Sequence, residues 1–188
     1  DVYQAGAGTS HNMNANEVLA NRASELMGGA RGEYRLVHPN DHVNMSQSTN
    51  DVFPTVTRVA LLMTNRGLVD AARALAASFT DKADAFTGVL KVGRTHLQDA
   101  VPISLGQEFS GYAACLERGA DEVEQTANQL KELNLGATAV GTGLNAGDDY
   151  AARAVKNIKT MTGLDVEPAS NRFRVTQSMG DVLAYSGA

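Results

Sequence analysis

Residues 61–86 read LLMTNRGLVDAARALAASFTDKADAF. Leu61, Leu68, Ala72, Leu75, Phe79, Ala83 and Phe86 recur there at intervals of three, four or seven, the spacing of one buried helical stripe. Strand alternation is absent. Just upstream, Ser48-Thr49-Asn50-Asp51 sets four cap-forming residue types ahead of the pattern, so one long helix is expected to start near Ser48. A second stripe follows in Phe109, Tyr112, Leu116, Ala120, Val123, Ala127 and Leu130, where Gly106 and Gly111 lower helix propensity without breaking the period. Helices this long must bury their stripes against partners. Many stripe positions are Ala, Gly or Ser, and small side chains let helix axes approach closely. The predicted fold class is all-α: a long-helix bundle with a small N-terminal helical piece. Residues 1–47 would end an N-terminal domain and residues 48–188 would begin a central helical bundle.

Shorter elements fill in around these helices. A helix is expected from Met13 to Met27, capped by Asn14 or Asn16 and stopped by Gly28-Gly29. Residues 30–47 read as a loop with a short hairpin at Tyr34 to Val37. The Gly- and Thr-rich stretch from Asn134 to Gly147 reads as an ordered loop. A helix from Asp148 to about Met161, closed by Gly163, is expected next, and another beginning near Thr176. No internal repeat or low-complexity segment is visible.

The 188 residues carry a formal net charge of −5 and are 43% hydrophobic, enough for a real core. Charges of both signs are interleaved, which argues against nucleic acid or an anionic membrane as partner. Cys115 is the single cysteine, so no intrachain disulfide is possible. It is expected to be a buried small hydrophobe in a reducing compartment. No apolar run reaches membrane-span length, and Asp1-Val2-Tyr3-Gln4 has neither the basic nor the apolar region of a signal peptide. The cytoplasm is the expected location. No Met opens the chain, and Ser186-Gly187-Ala188 stops while a helical pattern is developing, so a larger parent protein is expected.

Three donor clusters carry the chemistry. Gly93-Arg94-Thr95-His96-Leu97-Gln98-Asp99-Ala100-Val101-Pro102 sets a hydroxyl beside an imidazole, a pair able to grip a carboxylate or relay a proton. Gly6-Ala7-Gly8-Thr9-Ser10 and Ser46-Gln47-Ser48-Thr49-Asn50-Asp51 add small donors where helical sequence begins. Each cluster has a plainer reading as a turn or helix cap, but three together suggest one anionic ligand, and a helix start can itself attract an anion. A dinucleotide turn at Gly6 is rejected, because His11 stands at the third glycine position and no strand fits upstream. A phosphate loop at Gly136 to Gly143 is rejected for want of its Lys. His38, Asp41 and His42 hint at a metal, but Pro39 spoils the helical spacing and no third or fourth ligand is evident, so no metal site is expected.

Taken with Asn12-Met13-Asn14-Ala15-Asn16-Glu17-Val18, His38-Pro39-Asn40-Asp41-His42-Val43-Asn44 and Leu105-Gly106-Gln107-Glu108-Phe109, these clusters make nearly the whole chain resemble the aspartase/fumarase superfamily. That resemblance implies homotetrameric lyases that eliminate a group beta to a carboxylate and release fumarate, with active sites shared between subunits. It assigns Thr9, Ser48, Thr49, Asn50 and Thr95 to binding a small dicarboxylate substrate; His96, with Thr95, is expected to be catalytic, polarising the carboxylate next to the abstracted proton. It implies no organic cofactor, with Mg2+ activation left open. His38 and Asp41 match a second carboxylate site described for fumarases. The general-base serine and a carboxylate-binding lysine belong to a Gly-Ser-Ser-x-Met-Pro-x-Lys-x-Asn motif that these 188 residues do not contain. Within the superfamily, fumarases usually carry a serine where Ala7 stands. Ser48-Thr49-Asn50 and Asn134-Leu135-Gly136-Ala137-Thr138 also read like the ammonia-lyase branch. A class II fumarase is the first alternative and a catalytically incomplete scaffold the second. The argininosuccinate and adenylosuccinate lyase branches share less of this wording.

Overall fold

A computed structural model describes residues 3–188; Asp1 and Val2, where the predicted N-terminal piece begins, lie outside the described residues. In chain order the elements are α1 (Thr9–Leu26), α2 (Thr49–Ala85), β1 (Leu90–Thr95), β2 (Gln98–Ser104), α3 (Leu105–Ala127), β3 (Glu132–Leu133), α4 (Tyr150–Thr162), β4 (Glu167–Pro168), α5 (Arg172–Gln177) and α6 (Gly180–Gly187). Helices dominate, as the stripes predict. The chain divides into two compact units, one formed by Asp1–Met63 with Leu130–Leu183 and the other by Thr64–Gln129 with Ala184–Ala188. These bounds differ from the division at residues 47 and 48 drawn from the sequence.

The first unit is built on Leu133, Leu135, Val155 and Val166, against which Val52, Val59, Leu62, Tyr150, Ala154, Ile158 and Leu164 pack. Each buried side chain of this size contributes about 1.5–3 kcal/mol relative to exposure. α4 ends where expected, at Gly163 in the left-handed region. β3 and β4 form one short parallel pair, Glu132 opposite Glu167 and Leu133 opposite Pro168.

Three expectations in this unit need correction. α1 begins at Thr9 after Gly8, with no side-chain cap. Asn14 and Asn16 are therefore interior: Asn16 and Asn12 are buried, and both donate to Asn44 Oδ1, at 2.8 and 3.2 Å. No hairpin forms at Tyr34 to Val37; bends lead instead into a π-helical turn, Pro39–Val43, because His38 caps it and Pro39 fits its first position. The last helices begin at Arg172 and Gly180 rather than near Thr176, since Asn171 accepts the Arg174 N–H and caps α5.

In the second unit, α3 starts with a capping box between Ser104 and Gln107. Gly106, Ala113, Ala120 and Ala127 are its buried residues, spaced by seven. Gly106 is required there: a Cβ would lie 2.3 Å from the Ala83 carbonyl oxygen. Phe79, Phe86, Phe109 and Tyr112 interlock edge-to-face or tilted, with centroids 5.5–5.9 Å apart. Val69 and Ala76 are the buried positions of this part of α2, while Leu68 and Leu75, placed on the predicted stripe, are exposed. Cys115 is exposed too, contrary to its expected burial; it lies two residues past buried Ala113, on another face of α3.

The antiparallel hairpin of β1 and β2 has no counterpart among the elements expected from the sequence. Its two turn residues, His96 and Leu97, have φ of 50° and 59°. Such a turn normally announces itself with Asn-Gly or Asp-Gly, and His-Leu gives no such signal.

Candidate functional site

The first unit assembles its donors around the start of α2. Ser48 and Asp51 cap it reciprocally: Ser48 Oγ accepts the Asn50 N–H at 3.2 Å, and Asp51 Oδ1 accepts the Ser48 N–H at 2.9 Å. These N–H groups are thus satisfied within the chain, and an acidic residue already occupies the first turn. Ligand recognition here would fall to the Ser48 and Thr49 hydroxyls and the Asn50 amide rather than to free N–H groups and the helix dipole.

Pro54 shapes the first turns of α2. Proline has no N–H, so the carbonyl of Asn50 four residues earlier loses its helical partner. Asn134 supplies one, donating Nδ2 to that carbonyl at 3.1 Å. Asn134 is fully buried; its Oδ1 accepts the Thr55 hydroxyl at 3.2 Å and its Nδ2 also reaches Thr176 Oγ1 at 3.3 Å. At the far end of the same loop, the Ala139 carbonyl accepts Asn50 Nδ2 at 2.8 Å. Only the nitrogen end of an amide can donate to a carbonyl, which fixes the orientation of Asn50 and leaves its Oδ1 as an acceptor.

The Gly-rich turn approaches the same helix. Gly8 adopts φ 85°, and a Cβ on it would meet the Phe53 ring at 2.2 Å, so only glycine fits. Asn12 Nδ2 donates to Thr49 Oγ1 at 3.2 Å. A cavity of about 400 Å³ results, lined by Thr49, Asn50, Thr57 and Thr176 on its polar side and by Ala7, Phe53 and Met179 among its apolar walls. That is room for a small ligand. Its lining residues include no Lys or Arg. Thr9 opens α1 and is exposed.

Asp51 is the residue that sequence reading undervalued. It has no solvent exposure, and its Oδ2 accepts two more N–H groups, from Gly136 at 3.0 Å and Thr138 at 2.9 Å. Burial pushes its carboxyl up from the ordinary value, and the N–H donors pull it only partly back. Deeper in, Arg58 is fully buried and pairs with Asp181 through Nε at 2.6 Å and Nη2 at 3.0 Å. Nothing local in the sequence announces Asp51 or Arg58; Pro54, which demands an outside partner for the Asn50 carbonyl, is a signal for Asn134 alone.

His38 and Asp41 sit together on the π-helical turn. His38 Nδ1 accepts the backbone N–H groups of Asn40 and Asp41, each at 3.2 Å. The same nitrogen lies 3.5 Å from Asp41 Oδ2. The Nε2 edge remains to donate.

Thr95 and His96 belong to the second unit. They occupy the end of β1 and the tip of the hairpin, both exposed. His96 is held with a left-handed backbone that non-glycine residues seldom adopt, and such strain concentrates at functional sites.

Among the described residues no group of three or more His, Cys, Asp or Glu is arranged to hold a metal ion. No helix among them is long and apolar enough to cross a membrane.

A family model described as "Lyase" matches residues 1–188. An aspartate ammonia-lyase from a Bacillus species is 51% identical over 188 residues, all of this chain and 40% of its own length. A class II fumarate hydratase from Yersinia pestis is 54% identical over 187 residues, 98% of this chain and 40% of its own. The solved fumarate lyase:delta crystallin of Brucella melitensis, bound to cobalt, superposes with a TM-score of 0.90 at 48% identity, covering the whole chain and 41% of that structure. The class II fumarase of Schistosoma mansoni gives 0.84 at 38% identity over 99% of the chain and 42% of its own. The chain spans about two-fifths of the length of the relatives it matches.

Proposed function

Since the chain belongs to the lyase family of the aspartase/fumarase type, we propose that the complete protein eliminates ammonia from L-aspartate and releases fumarate. The observation that carries the ammonia-lyase reading is Ala7, which lines the cavity beside Thr49 and Asn50 without the hydroxyl that fumarases usually bring there.

The elimination proceeds in two stages. A base removes a proton from C3, and the electron pair left behind is delocalised into the adjacent carboxylate as a doubly charged aci-carboxylate. Collapse of that species forms the C2–C3 double bond and breaks the C–N bond, whose electron pair leaves with ammonia. The dianion is accessible only if fixed donors meet its growing charge. Thr9, Ser48, Thr49 and Thr95 supply hydroxyls for this, Asn50 supplies an amide, and His96 polarises the carboxylate next to the abstracted proton. The general-base serine belongs to the Gly-Ser-Ser motif outside these 188 residues, as does the lysine that would bring positive charge to a cavity lined by none.

The site is read as shared between the subunits of a homotetramer. Exposed apolar residues along the long helices, Met63, Leu68, Leu75 and Tyr112, are consistent with further subunits covering them. His38 and Asp41 form a candidate second carboxylate site, where the free Nε2 edge of His38 would donate. No organic cofactor enters this scheme.

One observation favours a second reading, hydration of fumarate: identity to the Yersinia pestis fumarate hydratase, 54%, is as high as that to the Bacillus ammonia-lyase, 51%. Offering the complete protein L-aspartate and L-malate in parallel, and following fumarate by its ultraviolet absorbance, separates the two. Fumarate from aspartate alone is the expected result. Fumarate from malate alone overturns it and makes the protein a fumarase, while turnover of neither favours a catalytically incomplete scaffold. His96→Ala is expected to lower kcat/KM about a hundredfold or more; unchanged kinetics would remove His96 from the mechanism.

A further inference from the structure

Asp51 is a carboxylate for which the elimination chemistry has no use, yet the fold buries it completely. Both of its oxygens are committed to backbone N–H groups, Oδ1 to Ser48 and Oδ2 to Gly136 and Thr138. The last two lie 85 and 87 residues along the chain. Gly136 and Thr138 have φ of 87° and 57°, and two left-handed residues separated by one turn their N–H groups inward, making a concave cradle for a single oxygen. Thr138 is not glycine, so this backbone persists only while something holds it. Asp51 takes both N–H groups of this cradle, while Arg172 Nη1 donates to the Gly136 carbonyl at 3.0 Å and the Asn134 carbonyl accepts the Ala137 N–H at 2.9 Å.

The consequence falls on Asn50. The loop that Asp51 holds begins with Asn134, which satisfies the Asn50 carbonyl, and reaches Ala139, whose carbonyl takes the Asn50 side-chain amide. Asn50 is thereby fixed at both main chain and side chain by residues 134–139. We propose that Asp51 is a positioning residue for the reaction: by gathering the Gly136 and Thr138 N–H groups it fixes the Ala139 carbonyl that orients the Asn50 amide in the substrate cavity. This rests on the proposed role of Asn50 in binding substrate. Only a carboxylate serves, because an amide in its place would aim one N–H donor at another.

The test is a double-mutant cycle in the complete protein: Asp51→Asn, Asn50→Ala and the double variant, with kcat and KM measured on whichever of L-aspartate or L-malate is turned over. Each single substitution should lower kcat/KM about tenfold or more, and the double should be no worse than Asn50→Ala by more than about threefold, because Asp51 acts through Asn50. Additive losses would overturn the proposal, since a merely structural Asp51 would harm the enzyme whether or not Asn50 is present. An Asn50→Ala variant with unchanged kinetics would instead sink the assignment of Asn50 to substrate, and the inference with it. Should Asp51→Asn fail to fold, backbone amide exchange in the unmodified protein decides. Adding succinate as a dicarboxylate probe should slow exchange at Gly136 and Thr138 about tenfold. Unaltered exchange at those two amides while residues 48–50 respond would overturn it.

Discussion

The two units differ in what each buries beside its apolar core. The first buries charge and amide groups: Arg58 with Asp181, Asp51 with three N–H groups, Asn134 with Asn50, Thr55 and Thr176, and Asn12 and Asn16 with Asn44. The second buries small residues and aromatic rings, Gly106, Ala113, Ala120 and Ala76 with Phe79, Phe86 and Phe109, and leaves its ion pairs partly or wholly in water, such as Arg73 with Asp121 and Glu124. Apolar contacts tolerate sliding, whereas a buried hydrogen bond tolerates almost none. The unit that must aim hydroxyls and an amide into a cavity is thus the one with an over-determined polar interior. The unit that presents Thr95 and His96 fixes them on a two-stranded hairpin with a strained turn.

The sharpest way to break this contrast is to strike one arginine in each unit. Arg58→Met should lower stability by about 3–5 kcal/mol, because it strands the Asp181 carboxylate in a buried site. Arg73→Met should change stability by about 0–1 kcal/mol, as its partners are solvated. Thermal unfolding of the purified variants measures both. Adding Asp181→Leu to Arg58→Met should recover most of the loss, since a repacked apolar pair is often as stable as the ions it replaces. Equal effects at Arg58 and Arg73 would remove the distinction between the units.

In the second unit the corresponding blow is steric. Gly106→Ala places a methyl 2.3 Å from the Ala83 carbonyl and 2.9 Å from the Thr87 N–H nitrogen, both backbone groups that cannot rotate away. A loss of about 1–3 kcal/mol is expected, read as a lowered Tm. A neutral result would mean that α2 and α3 are less tightly apposed than the seven-residue spacing of small residues on α3 indicates.

These residues also show where sequence reading reaches and where it stops. Long stripes identify α2 and α3 because period 3.6 repeats often enough to outweigh any single residue, and Gly163 announces the end of α4 because left-handed backbone has few other occupants. The phase of the stripe on α2 differs from the expected one, since Leu68 and Leu75 advertise hydrophobicity while Val69 and Ala76 take the buried positions; composition favours the larger side chain, but close helix contact favours the smaller. The hairpin is hidden by a His-Leu turn. In the candidate site, Ser48, Thr49 and Asn50 are legible as donors beside a helix start. Asp51 and Asn134 are not legible as their supports, because contacts spanning more than eighty residues leave no periodic trace. Pro54 hints at Asn134 alone, by leaving the Asn50 carbonyl without its helical partner.

A smaller effect tests the strained turn. Leu97 is 93% exposed and holds φ 59°, so its side chain gains little from folding while its backbone sits in an unfavourable region. Leu97→Gly should stabilise by about 0.5–1 kcal/mol: relief of left-handed strain, about 1–2 kcal/mol, outweighs the extra chain entropy of glycine. Thr138→Gly in the first unit relieves a similar φ of 57° but also frees a loop that Asp51 holds. If the polar interior over-determines that loop, Thr138→Gly should leave kcat/KM within about twofold. If Leu97→Gly lowers the Tm, the turn is not strained and its backbone carries no hint of function.

The finest distinction is one of sign in acid. Glu108, in the second unit, is held below the ordinary carboxylate value by the hydrogen bond from Lys91, whereas burial raises Asp51 in the first. For Glu108 the folded state binds its proton less readily than the unfolded chain. Its contribution is therefore present above the unfolded value near 4.5 and lost as pH falls through the lower folded one. For Asp51 the folded state binds the proton more readily, so its contribution is complete below the unfolded value near 3.8 and declines as pH rises through the folded one. Measured as Tm against pH from mildly acidic conditions downward, Glu108→Gln should lessen the fall in stability on acidification. Asp51→Asn should steepen that fall, because it removes the one group of this pair that gains from protonation. Slopes that shift the same way in both variants would show that Asp51 is governed by its three N–H donors rather than by its burial, and the two carboxylates would then differ only in what they hold.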